Sequence, residues 1–333
     1  IDTLLNVGDP VVYDIQFDST FFSTPRTITL AGTELAIRGN MNILGPGADL
    51  LTISGNNQSR VFQVFPGITA TLSGMSITGG NAGGGDGGGI FNDGTLNVTH
   101  SAIANNTSTA NGGGIGSGVG DRTTLTHSTI AGNAANVGGG LINNGILEVS
   151  SSTISGNAAQ LFAAGIQNQN GGGLTMTHST ITANNSNSAN GVGGIVNINS
   201  ATTVIRNSIV AGNVDNTTKP DVSGSGFTSQ GFNLIGNRGT AAFAATSDQS
   251  GTRAAPLNPR LAPLQNNGGT TATHALLFGS PALDRGNSSG STSDQRGLAR
   301  PVDLADITNT SDASDIGAFE AQSAGAPPTV SYS

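Results

Sequence analysis

The stretch GGGLINNGILEVSSSTISGN (138–157) decides the fold, because near-copies of it stand on both sides. Its closing phrase STISGN has the counterparts MSITGGN, SAIANN, STIAGN, STITANN, SIVAGN and NLIGN. The apolar residue inside each forms one column: Ile77, Ile103, Ile130, Ile154, Ile181, Val210 and Ile235, at spacings of 26, 27, 24, 27, 29 and 25 residues. A period in this range marks units that cannot bury an apolar face alone and stack to do so.

Five positions before the column stand Leu72, Val98, Leu125, Val149, Met176 and Ile205, and seven before it Ala70, Leu96, Thr123, Leu147, Leu174 and Thr203. Residues two apart on a strand share a face, so both columns point inward together. The mixture of Leu, Ala and Thr in the second predicts a place nearer the edge of the core. Polar Thr99, Thr126, Ser150 and Thr177 alternate with them, as on a strand with one solvated face. A third inward column, Phe62, Ile90, Ile115, Leu141, Ile166 and Ile195, for the most part follows Gly runs. Each period therefore holds three short strands and has no room for a helix. The prediction is an all-β, single-stranded parallel β-helix of about eight coils, right-handed by the crossover rule, with a body about 40 Å long at roughly 4.8 Å per coil.

The corners are predicted from Asn and Gly. Asn106, Asn133, Asn157, Asn184 and Asn213 fall three after the column, and Asn92, Asn143, Asn168 and Asn197 two after the third-strand residue. Asn tolerates left-handed geometry and can bond to the Asn of the next coil, so the first set is expected to form a structural ladder. The Gly runs supply positive φ and close approach. A phosphate cradle would need a following helix and a Lys, and neither is present at these runs.

Regularity fails at both ends. Residues 1–26 read as an N-terminal cap, 27–237 as the helix body, 238–320 as a C-terminal capping region, and 321–333 as a linker or tail. The opening at Ile1–Asp2 suggests a piece of something longer.

The phrases ILGPGADLLTISGNNQSRVF (43–62), the GGGIxN…TLxV…STISGN coils (87–213), NGGTTATHALLFGSPALDRG (267–286), SDQRGLARPVD (293–303) and DIGAFE (315–320) resemble secreted bacterial right-handed parallel β-helix repeat proteins with a choice-of-anchor type C-terminal region. The coils also loosely resemble polymorphic outer-membrane adhesins through GGGIFN (87–92). The first resemblance covers nearly the whole chain and supports the right hand. It implies an exported bacterial protein, secreted or held at the cell surface. That family has no single activity, so it supplies no catalytic site.

Bulk composition narrows the function classes. The net charge is −8 with no basic run, which argues against nucleic acid. Absence of Cys removes disulfides and thiolate metal sites. No apolar run reaches the roughly 18 residues of a membrane span, so no transmembrane segment is expected in this sequence.

Candidate chemistry is sparse. Glycoside hydrolysis needs two carboxylates on one groove; Asp93 and Asp121, with Arg122 adjacent, are the residues that would serve if the chain were an enzyme. His100, His127 and His178 recur three before the column, which suggests corner stacking ahead of a transition-metal site. GGGDGGGIFND (83–93) faintly resembles calcium turns, the one cofactor entertained. Thr-x-Thr at 124–126 and 175–177 raises an ice-binding face, but NVT and EVS interrupt the pattern. In the C-terminal region Asp284, Asp294, Arg296, Arg300 and Asp315 are expected to form a buried network holding the cap. The expected function is a non-catalytic extracellular or cell-surface structural and adhesive rod. Its partners would be polysaccharide, surface or matrix components, or another copy. The alternative is a β-helix-type polysaccharide lyase or glycoside hydrolase.

Overall fold

The computed structural model describes residues 11–188, 191–215 and 220–322. The expected tail lies outside these residues from position 323 onward, as do the first ten residues of the expected N-terminal cap.

Three parallel sheets of nine, ten and eight strands run the length of the molecule, and successive strands of each come from successive coils. One coil enters through the first sheet (Ile146–Ser150), turns into the second (Thr153–Ser155) and closes through the third (Ile166–Asn168). Register is kept coil after coil: Val98 pairs with Leu125, Leu125 with Val149, Ile103 with Ile130, and Ile115 with Leu141. This is an all-β parallel β-solenoid, and no helix occurs among the described residues, let alone one long and apolar enough to cross a membrane. Four two-residue strands, Ala134–Ala135, Ala158–Ala159, Asn185–Ser186 and Val214–Asp215, add a small fourth sheet.

The three apolar columns meet in one continuous core. Ile77, Ile103, Ile130, Ile154 and Ile181 are all fully buried, beside Leu72, Leu125, Ile90 and Ile166. Thr123 and Thr203, the polar members of the second column, are equally buried. Their hydroxyls explain the exception: Thr203 Oγ1 donates to Asn197 Oδ1 at 2.8 Å, and Thr123 Oγ1 accepts from Asn92 Nδ2 at 3.1 Å. They therefore bind the third-sheet Asn positions together instead of marking a core edge.

The Asn ladder is continuous. The backbone N–H and the side-chain amide of Asn133 both donate to Asn157 Oδ1, at 3.0 and 2.9 Å, and Asn157 repeats this toward Asn184. Each amide also reaches back to a column carbonyl, as Asn133 Nδ2 does to Ile103 O at 2.9 Å. Asn213 ends the row on Asp221, whose Oδ1 accepts both of its N–H groups at 2.9 Å. A second ladder runs beside it: Ser101 N donates to Ser128 Oγ, Ser128 N to Ser152 Oγ, Ser152 N to Ser179 Oγ and Ser179 N to Ser208 Oγ. Each Ser hydroxyl donates to the carbonyl two residues before it, so a small hydroxyl serves both neighbours of a tight corner. The Gly corner is a matter of space: a Cβ on Gly113 would fall 2.5 Å from the carbonyl oxygens of Ala134 and Gly139.

The first coil begins inside the segment expected to cap it, since Tyr13–Gln16 pairs with Met41–Leu44. Phe22 and Phe17 meet edge to face at 5.2 Å and join the core from this end. At the other end Ala241 and Phe243 close the core, with Phe243 at 6.0 Å from Phe227. Beyond Gln249–Ser250, the last strand of the second sheet, the chain first bonds to the last coil, Gly251 N to Ile235 O and Leu257 N to Gly236 O, both at 2.9 Å. It returns as a strap along the outer side of the second sheet. Thr129 Oγ1 donates to Ala272 O at 2.7 Å, Thr153 Oγ1 to Gln295 Oε1 at 2.6 Å, and Asn207 Nδ2 to Asp315 O at 2.9 Å. Ile209 and Leu234 pack there against Ala282 and Ile316.

Candidate functional site

The three outer faces differ in what covers them. On the second sheet Thr129, Thr153, Ser155 and Thr180 are buried beneath the strap. On the third, Ile142, Gln167 and Val196 are buried, Val196 with Ala163 and Val192 of the neighbouring turns. On the first sheet the outward positions from Thr69 to Arg206 are partly or fully exposed, and none is buried. Its outward positions stand in three rows set by the pairing: Thr69, Thr95, Arg122, Ile146, Gly173, Thr202; Thr71, Asn97, Thr124, Glu148, Thr175, Val204; and Ser73, Thr99, Thr126, Ser150, Thr177, Arg206. Hydroxyl and amide groups dominate, at one strand spacing of ~4.8 Å.

At the corner before this sheet, Asp93 and Asp121 come together. The point where a Gly118 side chain would start lies 2.4 Å from Asp121 Oδ2 and 2.9 Å from Asp93 Oδ1, so Gly118 lets both carboxylates close over it. Burial pushes the Asp121 carboxyl up to about 6, and the Asp93 charge adds to this. Asp93 is raised by burial too, against a lowering pull from Arg60. Arg122 does not join them. Its Nη2 reaches Glu148 at 2.6 Å on the open face, a pair nearly half exposed and worth little. Sequence order placed Arg122 next to Asp121, but the strand begins at Arg122, whose side chain takes an outward position of the sheet, while Asp121 stays in the preceding corner over Gly118. Asp86 Oδ1, in the calcium-like stretch, accepts from the backbone and amide N–H groups of Asn111 at 3.2 and 2.9 Å. Among the described residues no three His, Cys, Asp or Glu side chains converge as a metal cluster.

His100 and His127 stack at the corner after the first sheet, with ring centroids 4.9 Å apart and planes within 1°. Their in-plane lone pairs therefore run parallel and do not converge on one ion. His100, His127, Ser151, His178 and Asn207 hold φ of 48, 47, 42, 47 and 44°, so the position demands left-handed backbone first and imidazole second.

The strap contains a dense ionic network. Asp294 Oδ2 meets Arg296 at 2.7 Å, and Asp294 Oδ1 accepts the N–H groups of Arg296 and Leu298. Arg296 lies over the Phe319 ring at 3.7 Å. Asp315 Oδ1 accepts from Asp284 N at 2.8 Å and its Oδ2 from Ala321 N at 2.7 Å. Arg300 and Glu320, both with fully buried side chains, pair at 2.8 Å, and Glu320 Oε2 also takes Asp315 N. Gln295 ties this network to the coils through Thr129 Oγ1, at 2.9 Å, and Thr153. Sequence reading singled out Asp284, Asp294, Arg296, Arg300 and Asp315 in this network. It passed over Glu320, Gln295 and Asp221, although Glu320 closes the phrase DIGAFE.

These groups set a pH dependence. Burial, then the Glu320 charge, pushes Asp315 up to about 8, and burial takes Asp221 and Asp284 to about 6. A carboxyl raised on folding stabilises the fold fully below its unfolded pKa and loses that contribution as pH rises through the folded value. His178 is lowered to about 4, chiefly by burial, so its contribution is present above 6.5 and lost as pH falls through about 4. Thermal melts are therefore expected to give the highest midpoint between about pH 4 and 6.5, with a decline toward pH 9. Asp315→Asn should remove the alkaline part of that decline; a midpoint flat from pH 6 to 9 would refute the assignment.

No protein-family model, curated protein or solved structure matches the chain, which stands as a parallel β-solenoid of eight turns, one per strand of its third sheet.

Proposed function

We propose that this chain is a non-catalytic, extracellular or cell-surface structural and adhesive rod of bacterial origin, which binds polysaccharide along the outward face of its first sheet. One observation supports the reading: the strap and the turns bury the outer faces of the second and third sheets in their later coils, at Thr153, Ser155, Thr180, Ile142, Gln167 and Val196, while the first sheet keeps its in-register polar rows accessible in every coil from Thr69 to Arg206. A glycan lying along the rod axis meets a hydroxyl or amide at every strand, ~4.8 Å apart, close to the length of one sugar unit. Each contact is weak, and their number along a stiff rod supplies the affinity. The likeness of SDQRGLARPVD (293–303) and DIGAFE (315–320) to secreted β-helix repeat proteins with a choice-of-anchor region supports export and surface attachment.

The second reading is a β-helix-type polysaccharide hydrolase or lyase, favoured by the close Asp93–Asp121 pair with one raised carboxyl. One experiment separates the two. The protein is passed over a panel of insoluble neutral and acidic polysaccharides, and released products are assayed. Retention without reducing ends or unsaturated sugars is expected, and Thr124→Lys with Thr175→Lys should weaken it at least about tenfold with the melt unchanged. Retention indifferent to these changes removes the face from the reading. Product release abolished by Asp121→Asn transfers the function to the carboxylate pair.

A further inference from the structure

Where the Asn ladder ends, a cavity of about 440 Å³ opens between the last coils and the start of the strap. Asn213, Asp221 and Asn237 line it from the coils, and Arg253, Leu257, Asn258 and Pro259 from the strap. The strap side is held in place at both ends. Gly251 N donates to Ile235 O and Leu257 N to Gly236 O, both at 2.9 Å. Between these anchors Thr252 and Ala255 exchange backbone bonds at 3.0 and 3.2 Å, a tight turn that carries Arg253.

The wall is rich in donors that the protein leaves unused. Asn237 is only 5% exposed, and its Oδ1 accepts Gly239 N at 3.1 Å. That bond fixes the amide, and Nδ2 has no acceptor among the described residues. Asn258 repeats the arrangement, its Oδ1 accepting Arg260 N at 2.8 Å and its Nδ2 remaining free among the described residues. The Arg253 guanidinium is exposed and has no ion pair or hydrogen bond among the described residues. Asp221, the one acid in the wall, is already spent on the ladder: its oxygens take the two N–H groups of Asn213 and the backbone N–H of Asn237. A buried amide donor without an acceptor is costly, so the cavity favours a ligand that brings acceptors.

We propose that this cavity binds a carboxylate-bearing sugar, a uronate unit, with its carboxylate on Arg253 and the amides of Asn237 and Asn258 and its ring against Leu257 and Pro259. A planar carboxylate matches the guanidinium fork through two parallel bonds. One guanidinium beside the buried Asp221 favours a single negative charge; a phosphate dianion would meet too little positive charge. The apolar wall offers contact to the C–H face of a pyranose, and cavities of this size hold small ligands. The site follows the second sheet at the C-terminal end of the coils. It is separate from the polysaccharide face, so either can fail without the other.

The test titrates the whole chain calorimetrically with sodium glucuronate, glucose, acetate and inorganic phosphate. Glucuronate is expected to bind at least about tenfold more tightly than the other three, since glucose lacks the charge-assisted bonds, acetate the ring and phosphate the planar fork. Arg253→Met should weaken glucuronate at least about tenfold with the melt unchanged, and Arg253→Lys should fall between, keeping charge but losing the fork. Asn237→Asp keeps the acceptor for Gly239 N but sets an acid where the donor stood, and should abolish binding. If it does not fold, Arg253→Met decides alone. Absence of glucuronate binding, equal binding of glucose or acetate, or parent-like affinity in Arg253→Met overturns the proposal. Phosphate bound as tightly as glucuronate also overturns it, as a site for anions in general. So does loss of glucuronate binding in Thr124→Lys with Thr175→Lys, which assigns it to the first sheet.

Discussion

Asn157→Ala is expected to lower stability by about 3 kcal/mol or more, because each buried donor left without a partner costs about 1–3 kcal/mol. Removal of Asn157 Oδ1 strands two donors at once, the backbone and side-chain N–H groups of Asn133. It also takes the side-chain donor from Ile130 O and leaves Asn184 Oδ1 with one donor, the backbone N–H of residue 157, where it had two. All of these lie in a corner closed to water, so no solvent molecule takes over the bonds without moving the coils apart. The effect belongs to the ladder and not to Asn as a residue type. Asn97→Ser, in a partly exposed row of the first sheet, should stay within about 0.5 kcal/mol of the parent. Chemical denaturation of the two variants side by side checks this, and equal midpoints would remove the ladder from the account of stability. Asn133 or Asn184 should behave as Asn157 does, since each repeats the same pair of donations.

Arg300→Met should be comparably damaging, with a different outcome in space. Both partners of the Arg300–Glu320 pair are fully buried, and Arg300 also donates to Gly317 O at 2.8 Å. Removal of one partner of such a pair costs about 3–5 kcal/mol, because the other charge stays behind unpaired. Glu320 can escape by taking a proton, so the loss should be largest at alkaline pH. The strap touches the coils along one side, whereas each coil is bonded to the next through every sheet. Release of the strap should therefore leave the solenoid standing. Limited proteolysis is expected to cut within 251–322 and to spare the coil body. Exchange of both partners, Arg300→Met with Glu320→Leu, should restore much of the resistance, since apolar pairs of similar volume replace buried ion pairs at little cost. Parent-like resistance in the single variant would show that the strap is held by its apolar contacts alone.

The solenoid was legible because its determinants are local and repeated. Strand alternation placed Leu72, Val98 and Leu125 inward together, and a single unit of about 26 residues had to satisfy the same neighbours above and below. The Asn positions were legible for the same reason. The Ser row, two residues before the column, was passed over, because Ser is common in this chain and suits many turns. Thr123 and Thr203 misdirected the reading toward a core edge, since their hydroxyl partners, Asn92 and Asn197, lie on another sheet. For the first-sheet face, alternation showed which residues point outward but not that this face escapes the cover laid over the later coils of the other two.

Periodicity thus sufficed for the parallel coils, their three inward columns and their corners, because every coil poses the same packing problem to its neighbours. Contacts that occur once have no such echo in sequence. The meeting of Asp93 with Asp121 over Gly118, the turn of Arg122 away to Glu148, and the course of the strap along the second sheet depend on residues from about 26 to 167 positions apart. Sequence spacing sets which groups can share a face; chain closure over long distances sets which of them meet.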